Sequence, residues 1–244
     1  MRSTTIDAPP LSTLVLPLAR GRRLLAIRIT KWRQRRFWDD LAERIRRPVA
    51  SRTVLHAGCG PRGASPLPTL FESCGWQEVR LDIDPGAGPD VVASITDLAA
   101  VRPASVEAIW SSHVLEHLYQ DEVPRALAEF LRVLTPGGFA VIRVPDLQEA
   151  ARMVAADKAE ATLYVAPIGP VTALDLLYGH RALVARSPAF MAHHTGFTAK
   201  TLGAALLRAG FDRVRIIRWA FELWAVAEKP AERQELAPSG WTRR

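Results

Sequence analysis

The chain predicts a doubly wound α/β fold, a mostly parallel sheet covered by helices on both faces. Three observations predict it. Short apolar runs recur at 53–57, 78–82, 90–93, 107–111 and 138–144, with the length and bounding residues of buried strands. Helical patterns fall between them, near 67–75, 97–101 and 121–134. The first run opens into a glycine-dense turn, Val54-Leu55-His56-Ala57-Gly58-Cys59-Gly60-Pro61-Arg62-Gly63, and the second ends in acids, Val79-Arg80-Leu81-Asp82-Ile83-Asp84. Strand, glycine turn, helix, strand and acid, in that order, make a nucleoside-binding βαβ unit, with the acid free to accept from ribose hydroxyls.

The elements follow in order. Residues 1–18 are rich in Pro, Ser and Thr and read as a mobile start; residues 20–47 read as a helix, with Leu24, Leu25, Ile27, Trp32, Phe37, Leu41 and Ile45 set among arginines and Pro48 as its stop. The helix over 121–134 has Asp121 as its cap candidate, and Pro136-Gly137-Gly138 closes it. Residues 146–198 break the rhythm and predict two helices, near 146–160 and 171–185, joined by a loop with Pro167 and Pro170. Thr198 caps a helix over 199–209 that Gly210 ends. Two apolar stretches, 213–219 and 221–228, predict an antiparallel hairpin, and 229–244 is a polar tail. The organisation expected is a basic arm (1–50), one main domain (51–230) with an insertion at 146–198, and a flexible tail (231–244).

Composition narrows the function. The apolar fraction is 48%, ordinary for a globular protein. No apolar run approaches the roughly 20 residues that span a bilayer. Leu11–Leu18 is short and precedes its arginines, the reverse of a secretory signal. Two cysteines, Cys59 and Cys74, make no disulfide framework. A reducing, cytoplasmic setting is expected. The net charge of +7 is lopsided: residues 1–50 hold twelve Arg/Lys and four acids, so the arm is +8 and the rest −1. Two readings compete for the basic helix at 20–47. It packs its apolar stripe on the domain, or it touches an anionic membrane surface or partner, which would make the protein peripheral to the membrane. Nothing in this charge specifies nucleic acid.

Gly58-x-Gly60-x-x-Gly63 also matches the dinucleotide fingerprint, which needs a helix starting at the turn to meet a pyrophosphate. Pro61, Pro66 and Pro68 forbid that, since a proline inside a helix costs about 3 kcal/mol. A cofactor without phosphates fits better, and a dehydrogenase ranks third.

On these residues the chain resembles the class I S-adenosylmethionine-dependent methyltransferases, in particular the type 11 group, over roughly 52–145 and 193–228. The resemblance implies a Rossmann-like, seven-stranded sheet with an antiparallel last strand, and S-adenosylmethionine as cofactor. It implies that Val54–Gly60, with His56, Gly58, Cys59 and Gly60, holds the methionine part. Asp82 falls at the ribose acid, Ile83 beside the adenine, and Asp97-Leu98 at the turn that contacts the adenine amino group. Ile109–Leu118, with Ser111, matches the fourth strand and its loop, and Pro136–Val144 the turn into the fifth strand. Two positions depart: His56 stands where the family's first motif has an acid, and Arg62 where it has a third glycine.

Methyl transfer from a sulfonium mainly requires alignment of an acceptor and exclusion of water. A general base helps where the acceptor carries a proton, and the candidates are His113, His117 and His194. His113-Val114-Leu115-Glu116-His117 also spells H-x-x-E-H, but it follows a strand rather than lying on a helix, so no metal site is assigned; whether a divalent ion binds His113, Glu116 and His117 stays open. His180, His193 and His194 lie in or beside the insertion, which the resemblance makes a lid over the acceptor. The expected activity is methyl transfer to a small-molecule or lipid-like acceptor. The alternative is a non-catalytic binding protein that keeps the fold and engages partners through its arm.

Overall fold

The computed structural model describes residues 22–48, 52–63 and 66–231. The predicted mobile start and most of the polar tail lie outside these residues, as do the side chains of Leu24, Leu25 and Ile27. The elements run α1 (Arg22–Arg46), β1 (Thr53–Ala57), α2 (Thr69–Ser73), β2 (Gln77–Asp82), β3 (Val91–Val92), β4 (Val106–Ser112), α3 (Val123–Val133), β5 (Leu134–Pro145), α4 (Leu147–Ala155), β6 (Tyr164–Ala166), β7 (Gly169–Val171), α5 (Ala173–Tyr178), α6 (Arg181–Arg186), α7 (Pro188–Met191), α8 (Ala199–Ala209), β8 (Arg213–Trp219) and β9 (Glu222–Glu228). Single 3-10 turns lie at Pro85–Ala87 and Leu115–His117.

The main sheet has seven strands in the order β3-β2-β1-β4-β5-β9-β8. β1 through β5 pair in parallel, and β9 runs antiparallel to both β5 and β8. The predicted fold, with its antiparallel last strand, is the one observed. Period-two alternation divides the central strands between two cores. Ile109, Ala140, Ile142, Leu223 and Ala225 face α3 and α8, with Phe130, Leu127, Leu202 and Leu206. Ala108, Trp110, Val141, Trp224 and Val226 face the other way, where Phe71, Trp76, Phe37, Leu41 and Ile45 cover them.

α1 is part of that second layer. Its C-terminal half buries Phe37, Leu41, Ala42 and Ile45, and Trp38 packs edge-on against Trp224 at 4.9 Å. Trp76 Nε1–H donates to the Ile45 carbonyl at 2.9 Å, and Arg44 pairs with the buried Glu228. Farther toward its N-terminus, Lys31, Trp32, Arg33, Arg35 and Arg36 are exposed. No helix among the described residues is long and apolar enough to cross a membrane.

Several predicted elements differ, each for a physical reason. Residues 97–101 form turns, not a helix. The Leu98 N–H goes to Glu129 (2.7 Å), and the Leu98 and Val101 carbonyls accept from Arg132, so α3 holds this segment in place of a local ladder. α3 starts one residue later than Asp121 would dictate, with Glu122 at the cap position, where its carboxylate accepts the Tyr119 N–H. The predicted helix over 171–185 breaks at Gly179. That glycine has φ +95°, and a Cβ there would lie 2.2 Å from the Met191 carbonyl oxygen. The proline-containing loop holds a hairpin, β6–β7, whose three-residue strands are too short to leave a periodic signal. Thr198 caps α8 reciprocally with Thr201, and Gly210 ends it at φ +105°, as predicted.

α5 carries a second reciprocal cap, between Thr172 and Asp175. Burial would raise the Asp175 carboxyl, but the Thr172 hydroxyl, the Arg181 and Thr172 N–H groups and the Arg181 guanidinium together hold it down at about 2. A folded value below the ordinary one of about 3.9 stabilises fully above that pH and is lost as pH falls through about 2. Urea titrations at about pH 5 and about pH 2.5 should show the wild type losing more stability between these points than Asp175→Asn. Equal losses would remove Asp175 from the account.

Candidate functional site

β1 and β4 lie side by side, yet the chain leaves β1 toward β2 and leaves β4 toward β5. This reversal opens a crevice beyond the carboxyl ends of the two strands, the place where α/β sheets bind ligands. The glycine turn borders it. The Gly58 and Cys59 N–H groups both donate to the Leu81 carbonyl (2.8 and 3.0 Å), which ties the turn to the end of β2. Gly58 and Gly60 have φ of +71° and +57°, a conformation that favours glycine.

Asp82 faces this turn. Its Oδ2 accepts the Gly60 N–H at 2.7 Å and its Oδ1 the Asp84 N–H at 3.0 Å. The side chain is half-buried, and each oxygen retains capacity for a further hydrogen bond. Arg80, buried behind it, donates to the Gly60 carbonyl (2.5 Å) and the Gly88 carbonyl (2.9 Å). Ile83, next along, is 49% exposed, an apolar side chain presented to solvent at the rim.

His56 is buried, with Nδ1 2.6 Å from Glu78 Oε1 on β2. Burial lowers its pKa against the pull of Glu78. Glu78 thus sets a carboxylate beside His56 at the end of β1. Cys59 is buried, and burial pushes its thiol up, so it stays protonated. Ser111 is buried at the end of β4 beside Ala57, and its hydroxyl has no hydrogen-bond partner among the described residues. Asp97 is exposed and accepts the Ala99 N–H. Leu98 is fully buried in the core and offers the crevice no side chain.

The loop after β4 borders the crevice from the other side. Val114 packs directly on Gly58: a Cβ on that glycine would lie 2.3 Å from Val114 Cγ2. His113 precedes it in a left-handed conformation, φ +56°. Its Nδ1 meets Glu116 Oε1 at 3.0 Å and its Nε2 meets Glu222 Oε1 at 3.1 Å. Burial would lower its pKa, but the two carboxylates raise it to about 9. His113 is therefore a protonated clamp with both nitrogens engaged, not an unprotonated base. Burial would raise both Glu116 and Glu222; the ionic bonds to His113, joined for Glu222 by Arg143, hold them below the ordinary carboxylate range. Arg143 donates to Glu222 at 2.7 Å.

The insertion closes on the same loop. The His194 and Thr195 N–H groups donate to the Glu116 carbonyl at 2.9 and 3.1 Å. A cavity of about 260 Å³ lies between them, with Glu116, Leu147, Leu176, His193 and His194 in its wall. His194 is exposed and stacks on Tyr119, ring centres 4.2 Å apart. His117 and His193 meet edge to face at 4.9 Å. Burial lowers the His193 pKa.

The structure thus gathers the predicted residues into two adjoining groups. Gly58, Cys59, Gly60, Asp82 and Ile83 surround the glycine turn, with His56 behind it. His113, His117 and His194 lie around the loop after β4. Glu222, Arg143 and Glu78 escaped the sequence reading. Glu222 had one legible signal, a charge opening an otherwise apolar strand (Leu223–Ala227).

α2 begins only at Thr69, capped by Pro68 with no side-chain bond. Among the described residues no helix start therefore stands at the turn for a pyrophosphate, and the open acceptor positions of Asp82 fit a phosphate-free nucleoside. Residues 55–142 match the family described as a methyltransferase domain. A solved SAM-dependent methyltransferase from Methanosarcina mazei is similar at 17% identity over 76% of this chain and 95% of its own, TM-score 0.51. Another from Archaeoglobus fulgidus is 19% identical over 86% of this chain and 96% of its own, TM-score 0.51. These likenesses speak for the fold. No curated protein matches the chain in sequence. The match runs across the glycine turn, Asp82 and the loop after β4, so residues 55–142 carry a methyltransferase domain, of the class I S-adenosylmethionine-dependent type.

Proposed function

We propose that the protein transfers a methyl group from S-adenosylmethionine to a small or lipid-like acceptor held in the cavity between the loop after β4 and the insertion. One observation carries this reading. The same short loop packs on the cofactor's glycine turn through Val114 and lines the cavity through Glu116. Donor and acceptor sites two residues apart on one loop suit direct transfer.

When bound, the cofactor supplies an electrophilic methyl on a sulfonium. The chain's own residues position the reactants. Asp82 accepts from the ribose hydroxyls, Ile83 covers one face of the adenine, and Asp97 accepts from its amino group. Gly58, Cys59 and Gly60 give the methionine part a backbone wall without protruding side chains, and His56, Glu78 and Ser111 support that wall. The salt-bridged set His113–Glu116–Glu222–Arg143 fixes the loop between the two sites. His194, on the cavity wall with no protein hydrogen bond to its ring among the described residues, is the candidate general base. His113 is excluded from that role by its two carboxylates. Leu147, Leu176 and Leu177 make the cavity partly apolar, which suits an acceptor with a hydrocarbon portion.

The test is a cell-extract incubation with methyl-labelled S-adenosylmethionine. A labelled small product should appear with the wild type and fall roughly 10²-fold in rate with His194→Ala. Binding of S-adenosylhomocysteine should not change in that variant. Tight cofactor binding with no labelled product in any extract would favour the non-catalytic alternative.

A further inference from the structure

We propose that Glu116, His117 and His193 form a binding site for a divalent transition-metal ion of the zinc type, facing the cavity. Each residue offers one ligand atom, and the three atoms lie within 4.8 Å of one another. Glu116 and His117 come from the turn after β4, whereas His193 comes from the insertion, so folding alone brings the set together.

Three features distinguish this cluster from an ordinary polar contact. The first is the orientation of the histidines. His117 Nδ1 lies 3.1 Å from the Ala192 carbonyl, and His193 Nδ1 lies 3.0 Å from the Leu176 carbonyl. A carbonyl only accepts, so each Nδ1 carries a proton, and in the neutral ring Nε2 is the nitrogen with the lone pair. That is how metal-binding histidines are fixed: one nitrogen donates to a backbone oxygen, the other ligates. Among the described residues neither Nε2 has a hydrogen-bond partner. The second feature is Glu116. Its side chain is 1% exposed. Oε1 is held by His113, but Oε2 is buried with no hydrogen-bond partner among the described residues. A buried carboxylate oxygen left bare is costly, and a cation is the partner that the neighbouring lone pairs also need. The third is backbone order. The His194 and Thr195 amides clamp the Glu116 carbonyl, and the His193 amide donates to the Tyr178 carbonyl at 3.2 Å. The insertion is thus fixed to the turn where the ligands converge.

The donor set is two imidazoles and one carboxylate, which suits zinc and its neighbours rather than calcium or magnesium. With bonds of about 2.1 Å, tetrahedral ligand atoms stand about 3.4 Å apart, so side-chain rotation has to draw the three donors together on binding. Three protein ligands leave one position open, and Glu116 and His193 both line the cavity. An ion here would meet whatever occupies it. His113 is not a ligand, since both its nitrogens are engaged by carboxylates; its place is to hold Glu116. The H-x-x-E-H string therefore contributes its Glu and its second His, and the insertion supplies the third ligand. The proposal does not rest on the identity of the methyl acceptor.

The test uses the full chain, stripped with chelator and titrated with CoCl2 and then ZnCl2. One equivalent of cobalt should give visible d–d absorption, and zinc should abolish it. Histidine nitrogen resonances should shift on zinc addition at Nε2 of His117 and His193 and stay fixed at His56. Glu116→Gln and His193→Ala should each weaken binding by more than the roughly tenfold typical of losing a supporting partner. Absence of a stoichiometric cobalt complex, or unchanged affinity in both variants, overturns the site. Should a variant fail to fold by circular dichroism, the wild-type resonances decide: shifts confined to other histidines refute the proposal.

Discussion

Asp82→Ala should weaken S-adenosylhomocysteine binding by roughly 10²-fold or more. The carboxylate holds the glycine turn through Gly60 and the following loop through Asp84, each with one oxygen. What remains open on those oxygens is the capacity to accept two ribose hydroxyls. Hydrogen bonds to a charged group contribute about 1.5–3 kcal/mol each, so losing two reaches at least that factor. Asp82→Asn separates the parts of the effect. Its carbonyl oxygen can still accept from Gly60 or from one hydroxyl, and its affinity should fall between the two. Calorimetry on both variants, with circular dichroism to show that they fold, makes the comparison. Wild-type affinity in Asp82→Ala would remove the ribose from this strand end and with it the proposed orientation of the cofactor.

The largest stability effect is expected at Gly58. Alanine there meets two separate penalties. A left-handed φ of +71° costs a non-glycine residue about 1–2 kcal/mol. Its Cβ would also lie 2.3 Å from Val114 Cγ2, and overpacking of this kind costs about 1–3 kcal/mol. Together Gly58→Ala should destabilise by about 2–5 kcal/mol. The two causes can be parted by a double-mutant cycle. In a Val114→Ala background the contacts with both γ-methyls disappear and only a Cβ contact at 3.2 Å is left, so the cost should fall toward the backbone term of about 1–2 kcal/mol. Denaturant unfolding of the four proteins measures it. Equal costs in both backgrounds would mean that Val114 does not press on the turn, and the link between the donor and acceptor sites would lose its basis.

Much of the site was legible because it is local. Glycines at positive φ, an acid at the end of the next apolar run and prolines that delay α2 are all short-range features. The histidines were legible as residue types but not as roles. His113 read as a base, yet Glu222, more than a hundred residues away, takes its Nε2 and makes it a cation. His193 read as one of several insertion histidines, and only the docking of the insertion on the Glu116 carbonyl sets it beside His117. The turn at 97–101 shows the same limit. Its composition permits a helix, but Glu129 and Arg132 take the backbone groups that a helix would use.

The sequence by itself determined the seven strands of the main sheet, the antiparallel terminal hairpin, and the glycine turn with its acid. Each of these follows from periodicity, caps and backbone freedom within a few residues. Only the tertiary structure decided which charges neutralise one another, which histidine nitrogens are free, and which layer α1 completes. Those outcomes depend on partners far along the chain, and a buried charge or lone pair is defined by what packs against it.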